Sequence, residues 1–415
     1  MSRARTLGLF QGYGVECEYM VVDRESLDIR PVVDELFRSI AGDYVSDIEC
    51  GQVAWSNELV LHVVEMKTNG PAPELAGVAA RFDRNVGELN RRLAPMGCRL
   101  MPTAAHPWMN PSREMRLWPH EYSPVYEAFN RVFDCRGHGW ANLQSCHLNL
   151  PFSNDEEFGR LHAAIRLLLP ILPALAASSP MLDGHPTGWM DTRLREYRNN
   201  CRRIPSIAGA IVPEAVFTRR AYREKVFQPM YRDIASCDPD GVLQDEFLNA
   251  RGAIARFQRH AIEIRVLDIQ ECPRADLAIL QLIARVLREL VLQRWVGLDR
   301  QKSFETKRLA GILEATMKDA ESAVIVDPEY LQAFQCEMPV CTAGELWQHL
   351  FQLVRITAGN ENHDDWAAPM KVILREGSLA RRIARALKGD YSRERQKEVY
   401  SRLCDCLAEG RMFVA

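Results

Sequence analysis

The stretch Gly14-Val15-Glu16-Cys17-Glu18-Tyr19-Met20-Val21-Val22 sets two carboxylates two residues apart in an otherwise apolar run. Its β-branched and aromatic residues, with Gly12 and Gly14 before them, predict a β-strand. Side chains alternate between the faces of a strand, so Glu16 and Glu18 share one face. Burying two unpaired carboxylates side by side is unfavourable or shifts their pKa values. A divalent cation relieves that repulsion, and oxygen ligands suit Mg²⁺ or Mn²⁺. The competing reading is a solvent-facing edge strand whose glutamates pair with Lys or Arg.

Three further segments carry similar chemistry. Glu58-Leu59-Val60-Leu61-His62-Val63-Val64-Glu65-Met66-Lys67 reads as a second strand with carboxylates near both ends, broken by Asn69-Gly70-Pro71. Glu58 and Glu65 have opposite parity, so they face one site only if the strand bends, bulges or starts after Glu58. In the strand-like run Asn142 to Phe152, Ser145, His147 and Asn149 fall on one face; a lone strand His is more often structural than a ligand. In Ala261 to Asp268, Glu263 and Arg265 face away from Ile262, Ile264 and Val266, where a surface salt bridge is the bland alternative. Arg193 and Arg195 follow the Gly-rich turn Asp183 to Trp189; arginines there hold phosphate or carboxylate, or simply face solvent.

These residues need elements to position them. The 415 residues are 47% hydrophobic and 26% charged, ample for a core, with no linker at which to cut. One domain over 1–415 is expected, mainly helical from about 275. Predicted helices cover Val32 to Ile40, Glu74 to Leu93 and Asp155 to Ser178, then Leu277 to Trp295, Gly344 to Ile356, Met370 to Leu387 and Glu394 to Leu407. Cys98 to Ala105 reads as a strand, and the Pro-, Trp- and Arg-rich stretch to about His120 as a long loop of functional character. Strands dispersed among helices predict an α+β fold: an antiparallel sheet with helices on one face and an open, acidic other face. A net charge of −3 gives no field favouring nucleic acid or an anionic membrane. The 12 scattered cysteines lack a CxxC pair, as suits free thiols in a reducing cytoplasm. The most apolar stretch, Ala163 to Ala177, contains Arg166, Pro170 and Pro173 and is too short to span a bilayer.

In order and spacing, these segments resemble the glutamate–cysteine ligase type 2 family, or carboxylate–amine ligases, of the glutamine synthetase-like superfamily. The resemblance rests on Gly14 to Glu18, Glu58 to Glu65, Thr103 to Pro107, Ser178-Ser179-Pro180 through Gly184, Gly188 and Arg193, the Glu263/Arg265/Asp268 strand, and Arg375 to Arg382. Two departures stand out: His147-Leu148-Asn149 where many members have His-Val-His, and Arg382 where the family has Gln. The resemblance implies a curved antiparallel sheet like the glutamine synthetase catalytic domain. It implies an ATP- and Mg²⁺-dependent (or Mn²⁺-dependent) ligase that joins a carboxylate to an amine through an acyl phosphate. The γ-carboxylate of glutamate, with cysteine or another amino acid as the amine, is one pairing it suggests. Two or more ions are implied, one on Glu18, Glu58 and Glu65 and another on Glu16, His147 and Glu263. Arg265 and Arg193 would contact transferred phosphate or substrate carboxylate, with Glu263 beside them in catalysis. Arg265, Arg251 and Lys67 would bind the nucleotide. The expected partners are ATP and small-molecule carboxylate and amine substrates, with no nucleic acid and no membrane; a homodimer is admissible. The alternatives are a phosphagen-kinase-like phosphotransferase and a catalytically inactive nucleotide-binding regulator.

Overall fold

The computed structural model describes residues 6–358 and 365–415. Its principal elements are, in order, β1 (Gly14–Asp23), α1 (Val33–Ala41), β2 (Asp47–Cys50), β3 (Val53–Asn57), β4 (Val63–Thr68), α2 (Val78–Leu93), β5 (Cys98–Met101), α3 (Ser123–Phe133), β6 (Ser145–Pro151), α4 (Asp155–Leu168) and α5 (Thr192–Tyr197). Then come β7 (Ala253–Arg256), β8 (Ala261–Asp268), α6 (Pro273–Val291), α7 (Ala343–Ala358), α8 (Ala367–Glu376), α9 (Leu379–Leu387) and α10 (Arg393–Glu409). Seven strands run in the order β2-β3-β4-β1-β6-β8-β7, every pair antiparallel, and β5 pairs with the second half of β1.

The sheet has one apolar face. Val15, Cys17, Tyr19 and Val21 of β1 and Leu148 and Leu150 of β6 enter the main core with Val78, Phe82, Val86 and Leu89 of α2. That α2 stripe has the helical spacing, and the helix gives way to a 3-10 turn at Ala94–Met96, where Pro95 ends the ladder. Truncating Phe82, which is fully buried, to alanine carries the usual cavity penalty of about 3–5 kcal/mol. The other face of β1 changes character along its length. Glu16 and Glu18 lie near its start, whereas Met20 and Val22, with Met101 of β5, are sealed beneath Leu379 and Ile383 of α9 and Tyr400 and Leu403 of α10. The C-terminal helices therefore close one end of a face whose other end stays open.

Several expectations are corrected. The strand expected from Glu58 is only Val63–Thr68, with a separate strand, β3, ending at Asn57; Glu58 lies in the connection between them, which removes its parity conflict with Glu65. Met370 to Leu387 is two helices, interrupted at Gly377, whose φ is +86°. The stretch 106–120 is the loop expected, with one short helical turn at Pro111–Glu114, and it packs against the body of the protein. Trp118 is buried edge-on to Phe37, and Trp108 lies edge-on to Tyr400 with the Arg393 guanidinium 3.5 Å above its ring. No helix among the described residues is long and apolar enough to cross a membrane.

Arg382, at the family's Gln position, is fully buried. It pairs with the equally buried Glu271 and donates to the carbonyls of Phe413 (2.6 Å) and Gly377 (3.2 Å), tying α9 to the C-terminal tail. Removing one partner of a buried pair strands the other charge, at about 3–5 kcal/mol. Arg382→Met is therefore expected to lower stability by that amount in denaturant titrations followed by tryptophan fluorescence. Adding Glu271→Leu should recover most of the loss; a double variant no more stable than the single one would show that the pair is not the source.

Candidate active site

Strand register assembles the open face. β1 sets Glu16 opposite Lys67 of β4 on one side and His147 of β6 on the other, and Glu18 opposite Glu65. β3 brings Ser56 opposite Glu65, and β8 brings Glu263 opposite Asn149. β8 then bulges: Ile264 pairs with Leu148 but Leu267 pairs with Cys146, so Arg265 and Val266 together oppose His147. The extra residue resets parity, and Asp268 comes opposite Ser145. Glycine at 252 lets β7 pass close here, since a Cβ there would lie 2.4 Å from Cγ1 of Val266. The result is a cavity of about 1150 Å³. Its floor carries Glu16, Glu18, Glu65, Lys67, His147 and Glu263.

His147 sits at the centre. Its Nδ1 is 2.8 Å from Glu16 Oε2 and 3.9 Å from Glu263 Oε1; its Nε2 is 2.8 Å from Ser145 Oγ and 3.9 Å from Glu18 Oε1. Ser145 donates to Glu18 Oε2 through both its backbone N–H (2.7 Å) and its hydroxyl (2.9 Å). Asn149 donates to Glu16 at 3.1 Å, and Ser56 to Glu65 at 2.7 Å. Among the described residues, two groups have ligand atoms all within 4.8 Å of one another: Glu16, His147 and Glu263, and Glu18, Glu65 and His147.

Charge is unevenly spread across this floor. At the β8 end, Glu263 is gripped by two guanidiniums, Arg265 at 2.5 Å and Arg256 at 3.1 Å. Burial pushes the Glu263 carboxyl up, but Arg265, His147 and Arg256 outweigh it and hold the group at about 2. At the β4 end the balance reverses. Burial, then the charge of Glu16, pushes Glu65 up to about 7 despite Lys67. Burial and the charges of Glu18 and Glu65 push Glu58 well above the carboxylate range. Burial lowers the His147 pKa, yet its hydrogen bond to Glu16 and the surrounding carboxylates leave it raised.

The structure brings together nine of the ten residues expected in metal, nucleotide or catalytic roles, counting Glu58, which lines the cavity but stands outside both close groups; Arg195 pairs with Glu196 instead. Glu18 and Glu65, two of the three residues expected as one metal set, form a close group with His147, and Glu58 lies outside that group. Arg251 is the exception. It is buried outside the cavity with Nε and Nη2 on Glu214 (2.5 and 2.6 Å) and Nη1 on the carbonyls of Ser206 and Ile207, so its guanidinium is engaged away from the other candidate residues. Lys67 lines the cavity between Asp47 (2.9 Å) and Glu65 (3.4 Å). Arg265 also reaches the Tyr197 hydroxyl at 3.3 Å, and Arg193 donates to the Arg265 carbonyl at 3.0 Å. Sequence reasoning missed Asp47, Ser56, Arg256 and Tyr197. The alternation Ala54-Trp55-Ser56-Asn57 could have revealed Ser56; nothing local marks the others.

Comparisons with known proteins bear on the family and the fold. The pattern described as glutamate–cysteine ligase family 2 matches residues 13–405. An uncharacterized protein of Archaeoglobus fulgidus is 35% identical over 276 residues, 66% of this chain and 73% of its own length. A Streptomyces avermitilis protein named "Putative glutamate--cysteine ligase 2-1" is 27% identical over 282 residues, 67% of this chain and 68% of its own. Among solved structures, glutamate–cysteine ligase from Francisella tularensis in complex with AMP superposes with a TM-score of 0.64 at 12% identity, covering 97% of this chain and 90% of that one. A bifunctional glutathione synthetase from Pasteurella multocida gives 0.59 at 13% identity; this chain, 97% covered, spans 52% of its length. At such identities the likeness is one of fold, the glutamine synthetase-like type expected from the sequence. With the pattern running through nearly its whole length, the chain belongs to the glutamate–cysteine ligase family 2.

Proposed function

We propose that the protein is an ATP-dependent carboxylate–amine ligase, working through an acyl phosphate with Mg²⁺ or Mn²⁺. The observation that carries this reading is the polarity of the cavity floor. An acidic region around Glu16, Glu18, Glu58 and Glu65 adjoins a cationic one around Arg193, Arg256 and Arg265. ATP and a carboxylate substrate bring several negative charges together, and such a floor takes them only with added cations on its acidic side. The donor set fits hard divalent ions: carboxylate oxygens and one imidazole in two clusters. Glu16, His147 and Glu263 would hold one ion, and Glu18 and Glu65, with Glu58 close by, another. Bound there, the ions supply charge neutralisation for phosphoryl oxygens.

The chain's own groups then have distinct tasks. Arg265 presents a planar fork to the transferring phosphoryl group, with Tyr197 and Glu263 fixing its plane. Arg193, held by the Arg265 carbonyl, faces substrate carboxylate or phosphate. Lys67 neutralises Glu65 and stands ready for a nucleotide phosphate. A substrate carboxylate oxygen bonds to the γ-phosphorus as its bond to ADP breaks. The amine nitrogen then bonds to the acyl carbon as phosphate leaves, and the amine proton is lost to solvent. Glutamate with cysteine is the pairing in the family's name, and the γ-carboxylate of glutamate is the acid we assign to it.

Hydroxylamine should intercept the activated acid as a hydroxamate, with ADP and phosphate as co-products, in reactions containing ATP, Mg²⁺ and glutamate or another candidate acid. Release of AMP and pyrophosphate would mean adenylation and would sink the acyl phosphate.

Arg265→Lys separates a catalytic role from a structural ion pair. Lysine retains the attraction to Glu263 but lacks the fork. The variant should melt near the wild type yet lose about a hundredfold or more in ADP release, the usual loss for one transition-state contact. Near-normal turnover would return Glu263 and Arg265 to a structural pair.

Metal binding should compete with protons. Glu65 keeps its proton up to about 7 in the folded chain and only to about 4.5 when unperturbed, so its contribution to metal-free stability falls as pH rises through that window. The rise in melting temperature on adding Mg²⁺ is therefore expected to be larger at about pH 8 than at about pH 6. An equal rise at both, or none at either, would count against these carboxylates as ligands.

A further inference from the structure

Behind the cavity wall, where α5 begins and β8 ends, two buried aspartates meet one buried arginine. Asp191 is fully buried and Asp268 is 1% exposed. Asp191 caps α5, its Oδ1 accepting from the Leu194 backbone at 2.8 Å. Asp268 Oδ2 accepts from the Ser178 backbone (2.8 Å) and the Ser179 hydroxyl (2.7 Å), and that hydroxyl in turn accepts from the Arg193 backbone (3.0 Å). Each carboxylate is left with one oxygen, Asp191 Oδ2 and Asp268 Oδ1, that is buried and without a donor. Asp268 Oδ1 is 3.6 Å from Arg193 Nη1, and Arg193, itself 3% exposed, leaves Nε and Nη1 without hydrogen-bond acceptors.

Two orphaned carboxylate oxygens beside a single guanidinium are one proton short of a satisfied cluster. We propose that Asp191 and Asp268 share one proton and that this acid pair is a positioning device for Arg193, keeping the three-residue cluster neutral so that an anionic substrate group can approach the arginine. With both aspartates ionised, the cluster would carry a net negative charge and repel that anion. The neighbouring charges agree. Burial, then the charge of Asp268, pushes Asp191 well above the carboxylate range; burial pushes Asp268 up to about 6, held back by Arg193. Arg193 is the cation facing the pair. Glu263 and Arg265 lie farther up β8, and Lys318 and Asp319 are exposed on the helix Thr306–Asp319, whose Met317 carbonyl accepts from the Asp191 backbone. The anion invoked rests on the ligase reading; the shared proton does not.

The test compares the full-length wild type with Asp191→Asn and Asp268→Asn, using inorganic phosphate as the anion and no turnover. An asparagine at 191 can cap α5 and donate permanently to Asp268. The melting temperature of Asp191→Asn should therefore gain on the wild type as pH rises from about 5 to about 9, because the wild type alone has a raised-pKa proton to lose. The infrared difference spectrum should show a protonated carboxylic acid band, shifted in D₂O, that is missing from Asp191→Asn. The midpoint for phosphate-induced stabilisation should weaken with rising pH in the wild type but not in Asp191→Asn. In Asp268→Asn it should weaken about tenfold or more, as for loss of a charge-assisted contact. A pH-independent melting difference with no change in the acid band would overturn the shared proton. An unchanged phosphate midpoint in a folded Asp268→Asn would overturn the positioning role. If Asp268→Asn fails to fold, the pH dependence of the phosphate midpoint in Asp191→Asn decides both points. Should the ligase reading itself fail, ADP release is absent while the band and the melting difference remain.

Discussion

Like-charge crowding on one face of the sheet is the constraint on which the rest of the structure depends. Glu16, Glu18 and Glu65 occupy adjacent positions on β1 and β4, and Glu58 leans in from the loop before β4. Within that group the available counter-charges are Lys67, already shared with Asp47, and His147. Such an arrangement opposes folding, so the opposite face has to supply the stability. It does so with an unbroken apolar surface from Val15 to Val21, against α2 and α6. Carboxylates and core side chains alternate along the same strand. Each acidic residue is thus anchored by apolar neighbours one position away, and it cannot turn to solvent without pulling them from the core.

The same alternation accounts for what was legible in the sequence. The Glu16/Glu18 strand, the Ser145/His147/Asn149 face and the Glu263/Arg265 face are period-two patterns within single segments, and their ligand-bearing side is fixed by parity. The long helices were readable for the corresponding reason, a 3.6-residue stripe. Short elements were not. β2 and β7 run four residues each, too few for a pattern that would single out Asp47 or Arg256, and the alternation in the five-residue β3 is the one local sign of Ser56. The placement of Arg251 outside the cavity could not be read locally, because its partner, Glu214, lies in a loop 37 residues away. The bulge in β8 was equally hidden. By simple parity Asp268 would share a face with Ile264 and Val266; the extra residue, made room for by Gly252, brings it opposite Ser145 instead.

Buried charge is used in two ways in this chain, and the difference marks the site. Arg382 with Glu271, and the buried Arg251 with the half-buried Glu214, are matched one guanidinium to one carboxylate, with further N–H groups on backbone carbonyls. Each is closed on itself, and such a pair contributes specificity of packing more than stability. The cavity floor is not closed. Glu263 has two guanidiniums while Glu58 has no cation within ion-pair distance among the described residues, so positive charge is in excess at β8 and negative charge in excess between β1 and β4. A chain selected only for stability would place a counter-charge beside those glutamates rather than a second arginine beside Glu263. Keeping the two excesses apart is unfavourable in the empty protein and favourable only when a ligand bearing both cations and anions lies across them. His147, in contact with the carboxylates of β1 and near that of β8, sits where the two regions meet.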